Sequence, residues 1–72
     1  MRILVIEDET ELRALMGRAL KREGFAVDLC ADGTEGLYYA TEFPIDLAII
    51  DLGLPGMSGM EIVRTLRARE LL

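Results

Sequence analysis

The stretch DLAIIDLGLPGMSG, from Asp46 to Gly59, decides the fold class of this chain of 72 residues. It begins with a run of apolar residues, Leu47 to Ile50, that leads directly into a carboxylate at Asp51. A short continuous apolar run is typical of a parallel strand that is covered on both faces. The glycines and the proline that follow predict a loop. A buried carboxylate is costly unless it is compensated, so we expect Asp51 either to cap a turn or to face a positive partner at the end of a strand.

The same order of short apolar run, turn and helical pattern occurs three times along the chain. We predict strands at Ile3 to Ile6, Phe25 to Ala31, and Asp46 to Ile50 or Asp51. We predict helices at about Thr10 to Glu23, Thr34 to Glu42, and Ser58 to Arg69. The second strand is expected at the edge of the sheet because its pattern is weaker and contains Asp28. This β-α-β-α-β-α order implies right-handed crossovers and a parallel sheet with helices on both faces.

The helix signals include caps and apolar stripes. Thr10 is a plausible N-cap of the first helix, and Gly24 can end that helix in a left-handed conformation. Ser58 and Glu61 match a capping box at the start of the third helix. Most of the apolar stripe of the first helix is expected in the core, and it consists of Leu12, Leu15, Met16, Ala19 and Leu20. The corresponding stripe of the third helix consists of Met60, Val63 and Leu66.

The composition limits the possible functions. Thirteen acidic residues against eight basic ones give a net charge of -5, which argues against a nucleic-acid surface in this segment. The single cysteine, Cys30, cannot form an internal disulfide and fits a reducing compartment. The sequence contains neither a signal-peptide pattern nor an apolar stretch long enough to span a membrane. We therefore expect a cytoplasmic protein that does not contact a membrane.

Three carboxylates are predicted to converge at one end of the sheet. Glu7 and Asp8 follow the first strand directly, and Asp51 ends the third. Ligands of parallel sheets bind beyond the carboxyl ends of the strands, and a divalent cation would relieve the repulsion between these acids. An all-oxygen site suits Mg²⁺, and an aspartate beside it could form an aspartyl-phosphate. Two structural interpretations remain open: Glu7-Asp8-Glu9 could complement a helix dipole, and Asp51 could form an Asx turn. The joint occurrence of both motifs at neighbouring strand ends favours the metal site.

With these residues the chain resembles the receiver domain of bacterial two-component response regulators. The resemblance extends over the whole length of the chain. The matching features are the acidic pair Glu7-Asp8, Asp51 at the end of the third strand, and the pattern D-x-x-L-P-x-x-x-G from Asp51 to Gly59. They look most like the subfamily that carries a C-terminal winged-helix DNA-binding domain. The resemblance implies a flavodoxin-like α/β fold with strand order 2-1-3. Residues 1–72 would then be the (βα)3 portion of a (βα)5 receiver, truncated after the third βα unit.

The resemblance also implies a role for each site residue. Asp51 would be the phosphoacceptor and a ligand of Mg²⁺, Asp8 a direct ligand, Gly53 a ligand through its backbone carbonyl, and Glu7 a ligand through a water molecule. The phosphoryl group would come from a sensor histidine kinase that docks on the first helix, Thr10 to Glu23. In the full-length protein this step would regulate transcription, with DNA bound only by a C-terminal domain absent here.

The family pattern also sets limits on activity. Receivers are not enzymes acting on a separate substrate, and at most self-phosphorylation and autodephosphorylation at Asp51 are expected. Both should be impaired in this chain, because the family's Ser or Thr after the fourth strand and its Lys after the fifth would lie beyond Leu72. The alternative is an inactive fragment that self-associates through its exposed third strand.

Two other classes of phosphate-handling protein fit less well. Phosphatases of the haloacid-dehalogenase type need an Asp-x-Asp pair after the first strand, which Glu7-Asp8-Glu9 does not supply. The spacing of Gly53, Gly56 and Gly59 matches neither the Rossmann nor the P-loop fingerprint.

Overall fold

Strands and helices alternate through three βα units in a computed structural model that describes residues 1–72. The elements are β1 Arg2–Ile6, α1 Thr10–Arg22, β2 Ala26–Cys30, α2 Gly33–Glu42, β3 Leu47–Ile50 and α3 Gly59–Ala68. All six predicted elements are present, with ends that differ by no more than one residue from the predicted ends. The left-handed glycine predicted after the first helix is also confirmed, because Gly24 has a φ of 93°.

The three strands form one parallel sheet in the order β2-β1-β3. This order confirms the prediction and leaves β2 at one edge, as expected from its weaker pattern. Ile6, the last residue of the central strand, pairs with Cys30 on one side and with Ile50 on the other. The carboxyl ends of all three strands therefore lie at the same level, so that the residues following β1 and β3 meet at one rim.

The central strand is buried on both faces, since Ile3, Leu4, Val5 and Ile6 are at most 2% exposed. Side chains alternate between the two faces of a strand. Leu4 and Ile6 belong to the core under α2 and α3, whose other buried members are Cys30, Ala40, Ile45, Leu54, Ile62 and Leu66. Helix α1 packs on β1 and β2, and its buried Gly17 lies against Leu29. The continuous apolar run in β1 is thus explained by helices on both faces.

Arg2 links the amino ends of the strands, at the opposite end of the sheet from Glu7, Asp8 and Asp51. The Arg2 side chain donates two hydrogen bonds to the Asp28 carboxylate, at 2.7 and 3.1 Å. Its guanidinium carbon lies 4.5 Å from the centre of the Phe43 ring, and its backbone N–H donates to Asp46 at 2.7 Å. The hydrogen bonds to Asp28 raise the pKa of Arg2. Asp28, the polar residue that marked β2 as an edge strand, is therefore paired rather than free.

The structure corrects the predicted inward face of α1. Leu12 and Leu15 are 41% and 56% exposed, and Ala19 is exposed as well, whereas Met16 and Leu20 are partly buried. The helix places Gly17 at its closest contact with the sheet. Because α1 lies over β1 and β2 alone, no element covers the side of the helix that carries the two exposed leucines.

Three predicted details of the helix ends and faces also change. The N-cap of α1 is Glu9 rather than Thr10. Helix α2 begins at Gly33 rather than Thr34, with Asp32 as its N-cap. In α3, Met60 is 44% exposed, because the inward face of this helix runs through Ile62 and Leu66. None of the helices has the length and the apolar character that crossing a bilayer would need.

Candidate metal centre

Glu7, Asp8 and Asp51 lie together beyond the carboxyl ends of β1 and β3. One carboxylate oxygen from each lies within 4.8 Å of the other two. Glu7 and Asp51 are partly buried, and Asp8 is exposed. The sheet register causes this arrangement, since the N–H of Asp51 donates to the Ile6 carbonyl at 3.0 Å and so joins β3 to the end of β1. The predicted convergence of the three acids is therefore observed.

Asp51 combines the two geometries that the sequence left open. Its Oδ1 accepts a hydrogen bond from the Gly53 N–H at 3.0 Å, which is the Asx-turn geometry. Its Oδ2 accepts no hydrogen bond from the protein. The turn thus fixes the carboxylate through one oxygen and leaves the other free for a ligand. The N–H of Gly53 holds Asp51 in place, while the predicted role of the Gly53 carbonyl as a metal ligand stays a prediction.

The three consecutive acids after β1 have separate structural roles. Glu7 accepts a hydrogen bond from the N–H of Glu9 at 3.1 Å. Glu9 caps α1 by accepting from the N–H of Leu12 at 2.9 Å. Asp8 makes no side-chain hydrogen bond with the protein. Helix capping therefore accounts for Glu9, but it does not account for Asp8.

The loop between Asp51 and α3 is closed at its base by a glycine. A Cβ on Gly59 would lie 2.5 Å from the carbonyl oxygen of Asp51 and 2.6 Å from the Cα of Leu52. The N–H of Gly59 also donates to the Leu52 carbonyl at 3.3 Å. Only glycine fits this contact, which explains the last position of the D-x-x-L-P-x-x-x-G pattern. Ser58 then caps α3 by accepting from the N–H of Glu61 at 3.2 Å, which is the serine half of the predicted capping box.

No basic side chain neutralises the acidic cluster. The one ion pair in the structure joins Arg2 to Asp28 at the other end of the sheet. Arg13 reaches the backbone beside the cluster, where its Nη1 donates to the carbonyl of Glu7 at 2.9 Å, but it makes no hydrogen bond to a carboxylate. Sequence reasoning missed Arg13, because a basic residue in an amphipathic helix usually lies on the solvated face.

The donor set fits a small, hard cation. Bonds of 2.0–2.1 Å in an octahedral Mg²⁺ site place its ligand atoms about 3 to 4 Å apart. The observed spread of up to 4.8 Å is slightly wider, which suits a set in which one carboxylate acts through water. Oxygen donors alone, without thiolate or imidazole, are also the chemistry that Mg²⁺ prefers.

Comparison with known proteins assigns the family. Residues 3–71 match the family described as the response regulator receiver domain. The chain belongs to this receiver-domain family. The predicted resemblance to receiver domains and the predicted flavodoxin-like fold are thereby confirmed.

Relatives of this chain are response regulators, among them DNA-binding ones. It is 48% identical over 69 residues to the two-component response regulator PhoP of Pseudomonas aeruginosa, covering 96% of this chain and 31% of PhoP. It is 42% identical over 67 residues to the DNA-binding response regulator MtrA of Mycobacterium tuberculosis H37Rv, covering 93% of this chain and 29% of MtrA. The chain thus spans about a third of the length of these relatives, and their family agrees with the predicted transcriptional subfamily.

Solved structures show the same fold. The response regulator TrrA of Thermotoga maritima, in complex with Mg(2+)-BeF, superposes with a TM-score of 0.92 at 36% identity, covering 96% of this chain and 60% of that one. TrrA in complex with the histidine kinase ThkA superposes with a TM-score of 0.89 at 37% identity, covering 94% and 59%. Both matches extend over nearly all of this receiver domain.

Proposed function

We propose that this receiver domain is the phosphoacceptor module of a two-component response regulator. A sensor histidine kinase would transfer a phosphoryl group to Asp51 in the presence of Mg²⁺. The observation that carries the proposal is the free Oδ2 of Asp51 beside Asp8 and Glu7, three acids that no basic side chain neutralises. Mg²⁺ would be held by Asp8, by Asp51 and by the Gly53 carbonyl, with Glu7 acting through a water molecule.

The chemistry follows from the two oxygens of Asp51. The Gly53 N–H fixes Oδ1, so Oδ2 would attack phosphorus and form an acyl phosphate while the phosphorus–nitrogen bond of the donor phosphohistidine breaks. Bound Mg²⁺ would supply positive charge against the repulsion between carboxylate and phosphoryl oxygens. Asp8 and Glu7 would hold that charge beside Asp51. The site acts on its own side chain, so the domain is a phosphoacceptor rather than an enzyme with a separate substrate.

The partners of the domain can be inferred from its exposed apolar surface and its net charge. The kinase would dock on α1, where Leu12 and Leu15 present exposed apolar surface close to the acidic rim. The complex of TrrA with a histidine kinase supports a partner of this class. DNA would be contacted by another domain of the regulator, since this one carries a net charge of -5. Phosphorylation would regulate transcription in the cytoplasm.

The proposal is tested by intact-mass measurement after incubation with Mg²⁺ and acetyl phosphate. Because self-phosphorylation is expected to be impaired, a fraction of the parent molecules should gain the mass of one phosphoryl group, and the gain should disappear with EDTA. Asp51→Asn removes the nucleophile with little change in shape and should show no gain. Asp8→Asn should lower the extent of modification most strongly at limiting Mg²⁺. A parent that stays unmodified, or an Asp51→Asn variant that is modified equally, would contradict the assignment.

One alternative function is favoured by a specific feature of the structure. The outer edge of β3 is unpaired, and beside it lies an open, mostly apolar groove of about 380 Å³ whose lining includes Leu47, Ile50 and Val63. An unpaired strand edge is a template for pairing with another chain. We propose as the second candidate that two copies of this chain associate through β3.

A further inference from the structure

The side chain of Arg13 is directed at the backbone from which two of the three acids extend. It lies in α1, partly buried, and its Nη1 donates to the Glu7 carbonyl at 2.9 Å and lies 3.5 Å from the Asp8 carbonyl. Neither the helix caps nor the ion pair of the fold involves this side chain. The charged, partly buried side chain of Arg13 therefore donates its hydrogen bonds to the connection between β1 and α1.

That connection has few other restraints. Sheet pairing along β1 ends with the N–H of Glu7, which donates to the Cys30 carbonyl at 3.0 Å. Helical bonding resumes only where the N–H of Arg13 donates to the Glu9 carbonyl. Between them, the peptide planes after Glu7 and Asp8 set where the two carboxylates extend. A hydrogen bond from a guanidinium to the Glu7 carbonyl fixes the first of these planes.

Two effects of Arg13 on a bound cation have opposite signs. Its positive charge lies beside the acidic cluster, and charge alone would weaken the binding of a second cation. Its hydrogen bond orients the ligands, and loss of such an outer-shell restraint typically weakens metal binding by about 10- to 100-fold. Removing the side chain therefore distinguishes the two effects by the direction in which metal affinity changes.

We propose that Arg13 is a positioning residue for the Mg²⁺ site, holding the β1–α1 connection so that Asp8 and Glu7 face Asp51. This inference rests on the proposed function, because it concerns the same site. Arg13 would contact neither the phosphoryl group nor the ion, since its Nη1 donates to backbone carbonyls. Its contribution is to the geometry of the ligands before Mg²⁺ binds.

The test compares Arg13→Met with Arg18→Met in the ¹⁵N-labelled chain. Methionine matches arginine in helix propensity and keeps an apolar stem. Arg18 lies on the same helix, is exposed and makes no side-chain hydrogen bond, so its substitution removes the same charge without the contact. Mg²⁺ affinity is measured from the amide shifts of Asp8 and Asp51. Hydrogen exchange of the metal-free proteins is measured at the amides of Glu9 and Leu12.

Arg13→Met should weaken Mg²⁺ binding by about 10-fold or more and should speed exchange at both amides. Arg18→Met should change the affinity by less than about twofold and leave exchange unchanged. Arg13→Gln, which is too short to reach the Glu7 carbonyl, repeats the test if methionine disturbs folding. Equal or tighter Mg²⁺ binding by the Arg13 variants would overturn the proposal, and tighter binding would show that Arg13 acts through its charge.

The same data separate this inference from the proposed function. If Mg²⁺ does not shift the amides of Asp8 and Asp51 in the parent, the metal site itself fails. Hydrogen exchange in the metal-free variants then decides the role of Arg13. Faster exchange at Glu9 and Leu12 would show that Arg13 holds the connection, and unchanged exchange would overturn the inference.

Discussion

Cys30 is the last residue of β2, is 1% exposed and belongs to the core under α2 and α3. Burial, with a smaller contribution from the negative charges of nearby acids, raises the pKa of the thiol from 9.0 to about 12. A thiol that stays protonated in a dry environment is a poor nucleophile. Cys30 therefore acts as a small apolar residue, as its sequence context predicts.

This shift makes the stability of the fold depend on pH. The unfolded chain releases the thiol proton near pH 9, whereas the folded chain keeps it up to about pH 12. The contribution of Cys30 to stability is therefore complete below pH 9 and is lost as pH rises toward 12, at no more than about 1.4 kcal/mol per pH unit. Urea unfolding of the parent and Cys30→Ala at several pH values measures the effect. The parent should lose stability more steeply above pH 9, and equal slopes would contradict the assignment.

At the residue scale, the sequence predicted which acids meet but not how each is held. The positions of Glu7, Asp8 and Asp51 follow from strand ends, which apolar runs reveal. Glu9 caps α1 and Asp8 does not, and this difference depends on the path of the chain as it enters α1. A run of three acids does not specify that path. The contact from Arg13 to the Glu7 carbonyl depends on the same path.

At the scale of elements, α2 approaches the central strand unusually closely. Gly36 is buried in the middle of α2, and a Cβ at this position would overlap the Ile6 side chain, including its Cδ1 methyl. Glycine normally weakens a helix by about 1 kcal/mol relative to alanine. Here the absence of a side chain lets the helix pack directly on β1, beneath the acidic rim.

Gly36→Ala should therefore destabilise the protein, by about 1 to 3 kcal/mol of overpacking less the gain in helix propensity. Ile6→Val removes the Cδ1 methyl, and the double variant should recover part of the loss. Urea unfolding of the two single variants and the double variant measures the coupling between them. An alanine variant as stable as the parent, or additive effects in the double variant, would show that α2 and β1 are not in close contact.

The elements themselves were predictable from periodicity, while the inward face of α1 was not. Leu12, Leu15 and Met16 form an apolar stripe with helical spacing, yet the closest contact with the sheet is made by Gly17. Which stripe turns inward depends on what lies on each side of the helix. A single sequence shows the amphipathic pattern of a helix, but the neighbours that cover each side come only from the tertiary structure.

At the scale of the whole molecule, the two edges of the sheet differ. The edge strand β2 contains a charged residue, Asp28, which is paired with Arg2. The edge at β3 is a run of four apolar residues, of which Leu47 is 45% exposed. Exposed apolar edges without charges can pair with other chains.

We expect the chain to associate through β3 at micromolar concentrations, and sedimentation velocity measures its oligomeric state. Leu47→Lys places a charge on the edge and should shift the chain toward the monomer. Leu15→Lys is the matched control, because Leu15 is exposed on α1, which packs on β1 and β2 rather than β3. A parent that sediments as a compact monomer across this range would defeat the expectation.

The closed base of the loop between Asp51 and Gly59 has a consequence for chain length. Because the two ends of the loop touch through backbone atoms, the strand and the helix stay joined whatever the chain does in between. Doubling the length of such a loop costs only about 0.6 kcal/mol in closure entropy. Extra residues beside the exposed Gly56 would therefore enlarge the loop next to Asp51, the proposed phosphoacceptor, while Asp51 itself kept its position.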